Sequence, residues 1–136
     1  MPLLALAYLA FIGLGLPDPL PGALWPQVGP AYGMPNAALG LVLASLSCGY
    51  ILAGLTAARL IAAFGIGGVV AGSIAATALT AAGQALAPPW PVFVGLAVLA
   101  GMGGGAVDAA LNVYAAQRLA PRHLNWLHAC WGIGAT

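Results

Sequence analysis

The chain alternates long apolar runs with short breaks rich in Pro, Gly or polar residues, and the runs set its predicted architecture. Apolar stretches cover residues 3–25, 37–58, 66–87 and 92–116, and a fifth opens at 125 and extends to 136. A helix needs about 20 such residues to cross roughly 30 Å of hydrocarbon. The pattern therefore predicts an all-α integral membrane protein with four spans and an incomplete fifth, so we expect the chain to be the N-terminal part of a larger bundle.

The first predicted span contains a break. Residues 17–22 include three prolines, and Asp18 lies among them. Residues 3–16 alone are too short to cross a bilayer, so we expect the helix to continue beyond a kink or an unwound turn. Such a turn is tolerated in a membrane only where neighbouring protein or water satisfies the freed backbone groups. The remaining predicted connections are residues 26–36, 59–65, 88–91 and 117–123.

The fourth predicted span carries small and polar residues with helical spacing. These are Gly101, Gly104, Gly105, Asp108 and Asn112, at i, i+3, i+4, i+7 and i+11, which one face of a helix would present. An acid in hydrocarbon costs about 2.5 to 3.5 kcal/mol on insertion scales, and it persists where it faces protein or a water-filled path. We therefore assign a functional role to Asp108, and to Asp18 by the same reasoning.

Two further spans show weaker stripes. Span three carries Ser73, Thr77, Thr80 and Gln84, and the fifth carries Asn125, His128 and Gly132. Small and hydroxyl-bearing residues let helix backbones approach closely, so packing is our interpretation of the hydroxyls and glycines. For His128, two interpretations stay open: a proton relay or gate, and a neutral side chain that hydrogen-bonds between helices.

Composition supports a membrane protein and excludes several other classes. Hydrophobic residues make up 62% of the chain and charged residues 4%, whereas soluble domains average about 25% charged residues. A net charge of +1 gives no electrostatic basis for nucleic-acid binding. Cys48 and Cys130 lie in separate apolar runs without metal-ligand spacing. Because the sequence shows no nucleophile–base pair, metal cluster or phosphate loop, we expect neither an enzyme nor a cofactor.

The cations predict the orientation. Arg59 lies in one predicted connection, Arg118 and Arg122 lie in another, and the connections on the opposite side contain no Lys or Arg. The positive-inside rule then puts the N-terminus in the cytoplasm of a multi-pass plasma-membrane protein. The four tryptophans lie mostly near span ends and are interpreted as interfacial anchors, although Trp126 and Trp131 are also candidates to line a substrate path.

Three segments carry a resemblance to a known family. They read GLGLPD at 13–18 with LWP at 24–26, GMGGGAVDAALN at 101–112, and LNWLH at 124–128 with GIGA at 132–135. They resemble the N-terminal part of a major facilitator superfamily transporter, closest to the fucose–proton symporter branch. The resemblance implies twelve spans in two halves with alternating access around a midplane site.

The resemblance also implies roles for particular residues. In that branch an acid in span 1 and another in span 4 are linked to proton coupling and sugar recognition, and Asp18 and Asp108 stand at the matching positions. Asp108 would be the protonation site and Asp18 a substrate or coupling partner. Asn112, Asn125 and His128 would be cavity residues.

The superfamily's loop motif between spans 2 and 3 is only partly present. Gly54 and Arg59 fit it, but Ala58 stands where an acid is usual, and Ala63 and Gly68 stand where basic residues often occur. This departure puts the usual cytoplasmic charge network in doubt for this chain.

We therefore expect a fragment of a secondary active transporter that moves a sugar or another small solute together with a proton. Its partners would be the solute, the proton, the bilayer and the remainder of the transporter. Two alternatives stay open: a complete small four-span exporter that works as a dimer, and a membrane scaffold that transports nothing.

Overall fold

The structure, a computed structural model, describes residues 2–136, and within that range its regular secondary structure is entirely helical, which confirms the all-α prediction. The helices are α1 (Pro2–Gly15), α2 (Leu20–Ala31), α3 (Ala38–Ala85), α4 (Trp90–Arg118) and α5 (Pro121–Gly134). By length and composition, α3 and α4 are the two described helices that are long and apolar enough to cross a membrane.

Helix α3 consists of two arms joined at Gly65. The first arm covers residues 38–64 and the second covers residues 66–85, while Gly65 has the non-helical angles φ 69° and ψ 167°. A residue with a Cβ rarely adopts these angles, so glycine is what allows the helix to bend at this point. Each arm has about the 20 residues that a membrane crossing needs.

The two arms run antiparallel, side by side along α4. A straight helix of 48 residues would be about 72 Å long and would hold Leu46 and Ser73 about 40 Å apart. Yet Gly101 packs against the backbone of Leu46, while Gly103, two residues further on, packs against the carbonyl oxygen of Ser73. The chain must therefore reverse at Gly65, which makes α3 a helical hairpin with almost no loop.

Replacing Gly65 with Ala is expected to destabilise the hairpin by about 1 to 3 kcal/mol, because the added Cβ strains the backbone at this positive φ. An ideal Cβ there has no neighbour within 4 Å, so a steric clash does not contribute. Gly67 has equally open surroundings but a helical backbone. Gly67→Ala should therefore be neutral or stabilising. Detergent-titrated unfolding followed by circular dichroism would measure both, and equal effects would contradict the hairpin geometry.

Glycines let the first arm and α4 approach within backbone contact. Gly49 lies against the carbonyl oxygen of Val98, Gly101 against that of Leu46, and Gly105 against that of Tyr50. The spacing of Gly101 and Gly105 is the i, i+4 spacing predicted for one face of the fourth span. This contact fixes which side chains of the two helices meet further along the interface.

Helices α1 and α5 form a parallel pair. The Tyr8 hydroxyl lies 2.7 Å from Nδ1 of His123, and one turn further along both helices Phe11 packs with Leu127. At the far end of the pair, the backbone at Gly15 lies against that of α5 near Gly134. The same cluster includes Ala115, so this pair packs against the last turns of α4.

All three arginines lie at one end of the bundle. Leu60 and Ile61, just before the Gly65 turn, pack in one cluster with Ala110 of α4. The turn therefore lies at the end of the bundle where α4 finishes and where α1 and α5 begin. The exposed residues Arg59, Arg118 and Arg122 all belong to this end, as the sequence predicts for two connections on the same side.

An aromatic cluster lies at the opposite end. The rings of Trp90 and Phe93 stack with their centroids 5.8 Å apart. The ring of Tyr32 packs on both, and the Tyr32 hydroxyl donates to the Pro88 carbonyl oxygen at 2.8 Å. Trp25 lies beneath them and is only 6% exposed. These contacts tie α2 to the start of α4.

Several predicted boundaries differ from the structure. Residues 26–31, predicted as a loop, belong to α2, which continues through Pro26 and Pro30. Helix α2 persists because Trp25 packs against Gly29 and into the core formed by α3 and α4, and tertiary packing outweighs proline's poor helix propensity. Arg59 lies within the first arm rather than in a turn. The predicted connection 117–123 shortens to residues 119–120.

Candidate functional site

Five side chains from four parts of the chain form the candidate site, which we call the acid site. They are Asp18 from the break between α1 and α2, Tyr50 from the first arm, Asp108 and Asn112 from α4, and Trp131 from α5. The sequence predicts roles for the two aspartates and Asn112, and names Trp131 as an alternative path residue. Bringing them together requires α4 to pack on the α3 hairpin and α1 on α5.

Asp108 and Asn112 are partners within α4. Asn112 Nδ2 donates to Asp108 Oδ1 at 3.0 Å, one turn away along the helix, and both residues are half-buried. Side chains four residues apart on a helix lie close enough for this bond. The Asn112 amide therefore orients one carboxylate oxygen and leaves the other for a second partner.

Tyr50 approaches Asp108 from the facing helix. A Cβ at Gly105 would lie 2.7 Å from the Tyr50 carbonyl oxygen and 3.0 Å from its Cα, so the two backbones are in direct contact there. Asp108 follows Gly105 by almost one turn and presents its side chain on the same side. Tyr50 and Asp108 are therefore neighbours across this interface.

Asp18 lies in the turn that separates α1 from α2. Its N–H donates to the Gly15 carbonyl oxygen at 3.1 Å, and the Leu20 N–H donates to that of Pro17 at 3.2 Å. These bonds satisfy part of the backbone that the break frees. The Asp18 side chain is exposed, and the Trp131 indole of α5 lies near it. Helix α2 begins two residues later, and the N-terminus of a helix favours a nearby anion.

The two carboxylates are close enough for the charge of each to act on the other. The positive charges are remote, since ten residues, or about 15 Å of helix, separate Asp108 from Arg118, and nine separate Tyr50 from Arg59. Two like charges in an apolar setting disfavour simultaneous ionisation. The arrangement can therefore hold a proton, or bind a solute that donates hydrogen bonds.

Asn125 and His128 stand apart from the acid site. Both side chains are exposed on α5, and the ring of His128 packs edge-on against Phe11 with centroids 5.9 Å apart. Among the described residues, no hydrogen bond joins either of them to Asp18 or Asp108. Their predicted role as cavity residues stays a prediction, and the α5 residue that lies near Asp18 is Trp131.

The two loop-motif residues lie on the first arm. Gly54 is exposed, and a Cβ there would meet nothing within 4 Å. Arg59 is also exposed and lies less than two turns before Gly65. The structure thus places both on the outer part of the hairpin, and their assignment to a cytoplasmic motif stays a prediction.

The stripe on the second arm serves packing, which confirms that interpretation. Thr77 donates to the Ser73 carbonyl oxygen at 2.9 Å and Thr80 to that of Thr77 at 2.8 Å, so both hydroxyls are satisfied within their own helix. Gly103 of α4 packs directly on the Thr77 side chain. Further along, Gln84 Nε2 donates to the Phe93 carbonyl oxygen at 3.2 Å and ties the arm to α4.

The sequence analysis did not predict the contacts of two residues, Tyr50 and His123. Tyr50 carried a signal, because it lies well inside an apolar run, whereas tyrosine usually occurs near membrane interfaces. His123 gave no comparable signal, since its contact with Tyr8 joins residues 115 positions apart.

Comparisons with known proteins return no match: no family model, no curated protein and no solved structure resembles this chain at a significant level. The functional proposal therefore rests on the acid site, on the arrangement of the helices and on the motifs in the sequence.

Proposed function

We propose that this protein carries out secondary active transport, moving a proton and a small solute together by alternating access around the acid site. The observation that supports this most is the proximity of Asp18, in the exposed break between α1 and α2, to Asp108, which is half-buried on α4. A membrane protein retains two such carboxylates at a cost that structural packing does not require. One of them also lies in a helix break, a feature of transporter binding sites.

A membrane location is part of the proposal. Large apolar side chains point outward from the hairpin, among them Leu55, Leu79 and Phe64, which are 75%, 73% and 69% exposed. Such a surface suits lipid or other helices better than water. With every arginine at one end, the positive-inside rule favours a multi-pass protein of the plasma membrane with that end, and the N-terminus, in the cytoplasm.

The mechanism follows from the charges. With both carboxylates ionised, their repulsion favours conformations that hydrate the acid site, and protonation of Asp108 removes that repulsion. The neutral site then tolerates closure, and the α1–α2 break offers a flexible point for it. A ligand changes the balance between two states only through its different affinity for them. In this mechanism the proton has different affinities for the two states, and so does the solute, which binds at the same site.

A sugar is the solute class that we propose. Trp131 offers an aromatic face beside one carboxylate, and Asn112 and Tyr50 offer hydrogen-bonding groups beside the other. Hydroxyl-rich rings need this combination of an apolar surface and several polar partners. The motifs that resemble the fucose–proton symporter branch of the major facilitator superfamily support the same class.

Uptake into liposomes tests the proposal directly. The product of the complete natural reading frame would be reconstituted, and an acidic exterior imposed. We expect a radiolabelled monosaccharide from a panel that includes L-fucose to accumulate, protons to enter with it, and a protonophore to abolish accumulation. If no sugar in the panel accumulates and none moves protons, symport of sugars at this site is wrong. Equal sugar entry with and without the gradient would instead indicate a facilitator without proton coupling.

A further inference from the structure

We propose that α1 and α5 move together as one rigid pair against the rest of the described bundle, with hinges at residues 16–19 and 119–120. The inference rests on the proposed alternating access and deepens it by naming the part that moves. We call these two helices the α1–α5 pair, and we call α2, the α3 hairpin and α4 the frame.

Contacts at both ends hold the α1–α5 pair together. At one end the Tyr8 hydroxyl lies 2.7 Å from Nδ1 of His123. At the other end the two backbones touch, because a Cβ at Gly134 would lie 2.9 Å from the Ile12 carbonyl carbon and 3.2 Å from the Gly15 Cα. Neither helix can slide or tilt against the other without losing one of these contacts. The pair therefore keeps its internal geometry when it moves, as close-packed interfaces resist deformation.

The α1–α5 pair meets the frame over a small part of α4. The core that the pair shares with the frame takes Leu111, Ala115 and Leu119 from the last turns of α4, and it includes no described residue of α2 or α3. Helix α2 belongs to a different core, where Trp25 packs against the first arm and α4. Displacing the pair consequently disturbs few buried contacts, while the frame keeps its own cores.

A non-helical segment joins the pair to the frame at each end. Between α1 and α2, Pro17 and Pro19 have no N–H to donate, so residues 16–19 cannot continue the helical hydrogen bonds. Between α4 and α5, Leu119 and Ala120 are extended, with ψ angles of 151° and 149°. Hinges are typically a few loop or element-terminal residues of this kind. Because the hinges lie at opposite ends of the pair, it can rotate about the line that joins them without stretching the chain.

The motion acts on the acid site directly. Asp18 lies in the first hinge, Asp108 lies on the frame, and Trp131 lies on the pair. Rotation of the pair changes the separation of the two carboxylates, and their repulsion when both are ionised favours the more separated position. Removing the charge of one carboxylate removes that preference. A bundle that moved as a single body would leave the separation unchanged.

Distances between spin labels test the proposal without requiring transport. The product of the complete natural reading frame, with its own cysteines replaced by alanine, would be labelled in liposomes at new cysteines in exposed positions. These replace Leu9 of α1, Ile133 of α5, and Leu55 and Leu79 of the two hairpin arms. Introducing Asp108→Asn should change the Leu9–Leu55 and Ile133–Leu55 distances together by about 2 Å or more, the usual size of a hinge movement. The Leu9–Ile133 and Leu55–Leu79 distances should stay constant.

Two glycine variants test whether the pair is rigid. Gly134→Ala places a Cβ against the backbone of α1, so the distribution of Leu9–Ile133 distances should broaden. Gly132→Ala is the matched control on the same helix, because a Cβ there would meet nothing within 4 Å, and it should leave the distribution narrow. Equal distributions in the two variants would contradict a pair held by this backbone contact.

Two results of the distance measurements would overturn the proposal. Four constant distances would mean that the bundle moves as one body or does not move. A change confined to one helix, or a Leu9–Ile133 distance that changes as much as the others, would mean that α1 and α5 move separately. Sugar uptake by the same liposomes, without the Asp108 substitution, separates this inference from the proposed function. Changed distances without uptake of L-fucose or the other sugars would support the moving pair and refute sugar symport, and uptake with constant distances would do the reverse.

Discussion

Asp108→Asn is expected to eliminate concentrative uptake, reducing the ratio of internal to external solute to about one. Asparagine matches the size of aspartate and keeps an oxygen that can accept from Asn112, but it cannot take up and release a proton. Each pH unit across the membrane is worth about 1.36 kcal/mol, or a tenfold accumulation per coupled proton. A variant without the coupling group loses that driving force entirely, whereas a packing defect would only lower the rate.

The measurement is the steady-state accumulation of labelled sugar in liposomes under an imposed gradient, together with exchange of labelled for unlabelled sugar without one. Asp108→Asn should retain exchange, since exchange does not need net proton movement. Asp108→Glu keeps a titratable group and is the matched control, with accumulation reduced in rate but still above one. Persistence of full accumulation in Asp108→Asn would show that another group carries the proton.

Gly101→Ala is expected to destabilise the contact between the first arm and α4 by about 1 to 3 kcal/mol, the usual range for overpacking. The added Cβ would lie 2.8 Å from the Leu46 carbonyl carbon and 3.0 Å from its Cα. These are backbone atoms, so no side-chain rotation relieves the overlap. The helices must separate, and the separation extends along the interface to Tyr50 and Asp108.

Gly104→Ala is the matched control for this change. It lies on the same helix, three residues away, and a Cβ there would meet nothing within 4 Å. In a detergent titration followed by tryptophan fluorescence, Gly101→Ala should unfold at a lower detergent fraction than the natural protein. Gly104→Ala should unfold at the same detergent fraction as the natural protein or at a slightly higher one. Equal behaviour of the two variants would mean that the first arm and α4 do not pack as closely as the structure shows.

The helical architecture follows from local properties of the sequence. Apolar runs and their breaks predict where helices lie, and the i, i+4 spacing of Gly101 and Gly105 predicts a shared contact face. Both are properties of a single helix, which the periodicity of the backbone determines. The Asn112–Asp108 pair is local in the same sense.

The parts that sequence does not predict depend on contacts between distant residues. Helix α2 extends through two prolines because Trp25 has a buried place against α3 and α4. The contact of Tyr50 with α4 depends on the missing Cβ at Gly105, and the Tyr8–His123 contact depends on the parallel pairing of α1 and α5. A periodic pattern identifies which face of a helix packs, but it does not identify the partner helix or the register.

The candidate site is intermediate between these two cases. The energetic cost of an acid in an apolar run identifies Asp18 and Asp108 individually. Their proximity is a tertiary property, and so is the contribution of α5, where Trp131 rather than Asn125 or His128 lies near Asp18. The energetic cost of burying an acid identifies the individual residues, whereas the tertiary packing of the helices determines which of them lie together.

The reversal at Gly65 has a consequence for how the protein would enter the membrane proposed for it. Because one residue separates the arms, we expect them to enter that membrane together. Both arms would leave the ribosome and partition laterally into lipid as one preformed unit. The translocation machinery would then insert them in one step instead of two. Biogenesis of this region would then depend on the combined hydrophobicity of residues 38–85, so a polar substitution in one arm is offset by the apolar surface of the other.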